Sequence, residues 1–103
     1  MIKVTIKYQS TGEFISLVSQ GHVDSAPFGQ DLVCAAVSGV ILGGINALKG
    51  KNFSLKNNEN KGILELRNIG KIGERDAIVI DTIVLQLQAI ERDNPKFIKI
   101  SIE

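Results

Sequence analysis

The sequence has 103 residues, 44% of them hydrophobic and 22% charged, with a formal net charge of +1. That length and apolar fraction suit a single domain over residues 1–103 with one core, and they argue against wholesale disorder. The charge balance gives no electrostatic argument for direct binding of nucleic acid, and a chain with no tryptophan and one tyrosine offers little for an aromatic base-stacking platform.

The opening MIKVTIKYQS has no apolar run of signal-peptide length. No apolar stretch reaches the roughly 18 residues of a membrane span, so the expectation is a cytoplasmic protein with no membrane contact. One cysteine excludes an internal disulfide and suits a reducing compartment.

Taken in chain order, Ile2, Val4 and Ile6 alternate with Lys3, Thr5 and Lys7, which predicts a half-buried strand. Gln9 to Gly12 supply turn chemistry and Phe14 to Ser19 a second strand, so the chain opens with a hairpin. Residues 22–29, HVDSAPFG, read as a loop. Asp31 then suits a helix cap, ahead of a segment from Leu32 to Leu48 that is apolar nearly all round. Gly39, Gly43 and Gly44 interrupt that helix, each costing about 1 kcal/mol relative to alanine. Close approach of another element or of another subunit would offset that cost. Gly50 is read as the terminator.

Phe53 to Leu55 and Ile63 to Leu66 read as short strands joined by the polar run Lys56 to Gly62. Lys49, Lys51, Lys56 and Lys61 form a loose basic stretch, read as solvated. From Glu74 the spacing of Ile80, Ile83, Val84, Leu87 and Ile90 is helical, and Asn94-Pro95 stops it. Phe97, Ile98, Ile100 and Ile102 give a last strand. The order is ββαββαβ, an α+β fold with a mostly antiparallel sheet covered by two helices. Strand order does not follow from these patterns.

The only histidine, His22, and the only cysteine, Cys34, flank one loop. His22 leaves the end of a strand, and Cys34 falls in the first turn of the apolar helix. A thiolate is the nucleophile in cysteine chemistry, and an unperturbed thiol titrates at about 8.5. A helix N-terminus offers partial positive charge and unpaired N–H groups, both of which favour the thiolate. A protonated histidine nearby would do so further. The same N–H groups can receive the oxygen of a tetrahedral intermediate.

Plainer readings stand beside these. A lone cysteine in an apolar helix is commonly a small core residue, and a lone loop histidine is commonly incidental. Asp31 is most simply a cap. Ser38, one turn beyond Cys34 on the same helical face, is a small residue in a crowded helix. Asp24 could orient His22, or simply be solvated. Two candidate ligands are too few for a closed metal site, so neither metal nor cofactor is expected.

The run GHVDSAPFGQDLVCAAVS resembles the signature of the ribosomal-processing cysteine protease family called Prp. The matching positions are Gly21, His22, Gly29, Asp31, Leu32, Val33, Cys34, Ala35 and Ser38, and the likeness extends to chain length, the opening hairpin and both helices. The resemblance implies an α+β homodimer that removes the short N-terminal extension of a large-subunit ribosomal protein, the twenty-seventh, and so supports ribosome maturation. It implies Cys34 as nucleophile and His22 as general base and acid. Asp31, Ser38 and Gly21 would support the site or line the cleft. A non-catalytic ribosome-associated binding module and a redox-sensing thiol protein are the alternatives.

Overall fold

The structure, a computed structural model, describes residues 1–21 and 30–103. Its elements are β1 (Ile2–Tyr8), β2 (Phe14–Gln20), α1 (Gln30–Asn46), β3 (Phe53–Asn58), β4 (Ile63–Asn68), α2 (Glu74–Asp93) and β5 (Ile98–Ile102). This is the ββαββαβ order expected from the sequence.

The five strands form one sheet in the order β3-β4-β2-β1-β5. Three of the four pairings are antiparallel, and β1 with β5 is parallel. The pairings make β2 parallel to β3 across β4, so α1 carries the chain between parallel strands. In the same way β4 and β5 run parallel with β2 and β1 between them, and α2 makes that crossing.

Alternation decides the faces. Ile2, Val4 and Ile6 are buried, and directly paired residues share a face, so Ile6, Leu17 and Leu66 form one apolar row across the middle of the sheet. Against these strands pack Val33, Val37 and Ile41 of α1 and Ile80, Ile83, Val84 and Leu87 of α2. Both helices therefore lie on one face of the sheet. Lys3, Lys7, Lys56, Arg67 and Lys99 belong to the opposite face and are exposed.

The hairpin between β1 and β2 turns at Gly12, whose φ of 91° is in the left-handed region that favours glycine. Its amide donates to Gln9 C=O. A bulge between Lys7 and Tyr8 then lets Tyr8 and Phe14 meet edge to face, ring centres 6.2 Å apart.

Several boundaries differ from the sequence expectation, two of them instructively. The first helix begins at Gln30, so Asp31 lies inside its first turn and is not its cap; an acidic residue suits either place, since both sit at the positive end of the helix dipole. The strand β3 runs to Asn58 and not Leu55, because its polar half is held in register by β4, with Lys56 opposite Glu65. Only residues 59–61 remain as a short turn.

Candidate active site

Cys34 occupies the fifth position of α1 and so falls in the second helical turn, not the first. In an α-helix the amide at that place pairs with the carbonyl four residues back, so the unpaired N–H groups near it belong to the residues opening the helix. The helix rotates its buried stripe, Val33, Val37 and Ile41, against the core. Cys34 sits at the edge of that stripe, half-buried and packed against the core cluster. A thiol so placed has an apolar floor and a partly open top. Ser38, one turn further along the same face, is exposed.

Gly21 follows the last residue of β2. Its N–H donates to Gly62 C=O at 3.0 Å, which ties the strand end to the start of β4. A methyl group at Gly21 would come within 3.0 Å of Ile2 Cα and 3.3 Å of Met1 O. The absence of a side chain lets the chain leave the sheet hard against the start of β1, one residue before His22.

His22 and the loop positions up to Gly29, Asp24 among them, lie outside the described residues. Asp31 is described in its backbone alone. Gly21 thus lies where β2 finishes and Cys34 near the start of α1, whereas Ser38 stands at the ninth of the 17 positions of α1, in mid-helix. Among the described residues no group of three or more His, Cys, Asp or Glu side chains is arranged to hold a metal ion. No helix there is long and apolar enough to cross a membrane.

The opposite end of the sheet has features that the sequence did not announce. Asp76, in the first turn of α2, is buried and accepts hydrogen bonds from the amides of Lys49 (2.8 Å) and Gly50 (2.7 Å). Those bonds, the one from Lys49 first, hold its carboxyl below the ordinary carboxylate range, against desolvation and with help from the Arg75 and Lys49 charges. A cavity of about 140 Å³ lies between the hairpin turn and α2, lined by Tyr8, Gly12, Phe14, Ile72, Ile80 and Asp81 among others. Burial, and then the Asp81 carboxylate, push the Tyr8 phenol above its usual value. Both features are remote from Cys34 along the sheet.

Residues 1–99 match the family model described as cysteine protease Prp. A Mycoplasma genitalium protein named ribosomal processing cysteine protease Prp is 32% identical over 103 residues, covering 100% of this chain and 97% of that one. Two crystal structures of the Staphylococcus aureus protease Prp superpose over the whole of both chains. The one with a substrate peptide has a TM-score of 0.94 at 24% identity, and the one with a covalently linked product peptide has 0.88 at 26%. The chain is a cysteine protease, a hydrolase of peptide bonds. It belongs to the Prp family. With that, the non-catalytic and redox-sensor readings give way.

Proposed function

We propose that this single-domain protein is the endopeptidase that removes the N-terminal extension of the twenty-seventh large-subunit ribosomal protein, using Cys34 and His22. The observation that carries this reading is Cys34 itself: the chain's one thiol, half-buried near the positive end of α1, in a chain matched to a cysteine protease family over residues 1–99. The names of its relatives, ribosomal processing cysteine proteases, support the substrate class.

In this mechanism His22 takes the proton from the Cys34 thiol. The thiolate sulfur bonds to the scissile carbonyl carbon, and the carbonyl electron pair moves to the oxygen. Unpaired amides at the start of α1 receive that oxyanion. His22 then gives its proton to the leaving nitrogen as the C–N bond breaks. Water, deprotonated by His22, releases the acyl group and restores the thiol. Asp31 adds a carboxylate near the helix start, Ser38 lines the cleft, and Gly21 fixes where the chain departs toward His22.

The protein acts in the cytoplasm as a homodimer. Support for the second copy comes from the outward side of α1, where Leu32, Ala35, Ala36, Gly39, Leu42 and Gly43 are exposed and none is charged.

The test is cleavage of a peptide spanning the extension and the mature start of the ribosomal protein. Wild type should cut it once. Cys34→Ala and His22→Ala, folded by circular dichroism, should each lose on the order of 10³-fold or more in kcat/KM. Full activity in either variant would remove that residue from the mechanism, and no cutting by reduced wild type would remove the substrate.

A further inference from the structure

The near-neutral net charge, which argues against nucleic acid when read from the sequence, conceals a segregation by face. Strand register puts Lys3, Lys7, Lys56, Arg67 and Lys99 on the sheet face that neither helix covers. Among the described strand residues and Glu103, two carboxylates share that face. Glu65 is paired with Arg67 at 3.2 Å, and Glu103 extends the β5 ladder beside Lys7. Among the described residues the four lysines make no ion pair. The balancing acids lie on the helical side, where α2 carries Glu74, Asp76, Asp81, Glu91 and Asp93 against Arg75 and Arg92.

Five strands at about 4.8 Å spacing make this surface roughly 19 Å across. It exposes long cationic side chains. Tyr8, Phe14 and Phe53 belong to the other face by register and Phe97 packs against the core, so among the described residues the open face has no aromatic ring on which a base could stack. Such a surface suits the phosphate backbone of RNA and not its base edges. Lys3 and Lys99 are neighbours at the end of the sheet where β2 leaves for the candidate active site.

We propose that the open sheet face binds ribosomal RNA through its phosphates and holds the protease beside its substrate on an assembling particle. The inference rests on the substrate being a ribosomal protein, since that is what brings a polyanion to this surface. Binding is sequence-independent and salt-sensitive, with a log–log slope of about −0.7 per phosphate contacted on single strands and about −0.9 on duplex.

The experiment uses the whole protein and a transcribed fragment of large-subunit ribosomal RNA, with filter binding over a salt series. A variant carrying Lys3→Gln, Lys7→Gln, Lys56→Gln and Lys99→Gln is compared with wild type and with the four Lys→Arg replacements. The Gln variant should lose at least ~10-fold in affinity, with a shallower salt slope, and the Arg variant should bind as wild type does. Both should cut the free peptide at the wild-type rate, and the Gln variant should cut more slowly on ribosomal particles. Equal RNA binding by the Gln variant and wild type, or no wild-type binding at low salt, overturns the proposal. Binding of polyglutamate as tight as that of RNA would assign the face to an acidic protein instead and would equally overturn it. Failure of the peptide reaction, by contrast, counts against the substrate assignment and leaves the binding result to be read by itself.

Discussion

At the scale of single residues, a buried carboxylate and a half-buried thiol show how unevenly chemistry is written in a sequence. Asp76 is buried, and both of its oxygens accept backbone amides. Its folded pKa is held below the unfolded value of about 3.9, so its contribution to stability is present above that value and is lost as the pH falls through the folded one. Asp76→Asn would keep one acceptor and turn an NH₂ group against an amide donor. We expect a lower urea midpoint at pH 7 and a smaller loss of stability between pH 5 and pH 2 than in wild type; an unchanged acid profile would show that the carboxylate stays equally satisfied when protonated. Cys34 stood out as a candidate because the cysteine is unique in the chain and stands near the start of an apolar helix. Asp76 carries no such local signal, because its partners are amides 27 and 26 residues away.

At the scale of elements, the three glycines of α1 divide into two kinds. A methyl group at Gly44 would overlap Cγ1 and Cδ1 of Ile83 on α2, whereas at Gly39 and Gly43 it would meet nothing within 4 Å. Ile83 is 2% exposed, so any shift it made would have to be taken up within the core. Gly44→Ala should therefore destabilise the fold by about 1–3 kcal/mol by overpacking the two helices. Gly39→Ala and Gly43→Ala should each stabilise an isolated subunit by up to about 1 kcal/mol, through helix propensity and a less free unfolded chain. Chemical denaturation of all three variants checks the contrast, and sedimentation of the last two tests the proposed dimer. A weakened dimer with a stabilised subunit would mean that this face meets a partner copy. Periodicity was enough to place both helices, and α2 runs from the expected Glu74 to the residue before Asn94. It missed the ends of α1, because Ala47 and Leu48 continue past the helix in tight turns to Gly44 and Ile45 that share its apolar composition. It shortened β3, because polar residues hold a strand when the neighbouring strand supplies the ladder.

At the scale of the whole molecule, the class and element order were legible but the strand order was not. Hairpin turns announce neighbours, as Gln9 to Gly12 do for β1 and β2. Nothing local announces that β5 lies beside β1, because that pairing depends on α2 crossing two strands. Ile98 is 1% exposed at this junction, and Ile98→Ala should cost about 2–5 kcal/mol, read as a shifted urea midpoint in a single transition. A separate early transition would instead mean that β5 detaches while the rest stays folded.

The parallel pairing of Ile2 with Ile98 also sets a schedule for biosynthesis. Strand β1 is synthesised before β5 and keeps one edge unsatisfied until β5 has emerged, and in the meantime that edge can recruit an extended segment nearby. Lys3 and Lys7, exposed charges along β1, are the residue type that discourages strand addition by another chain.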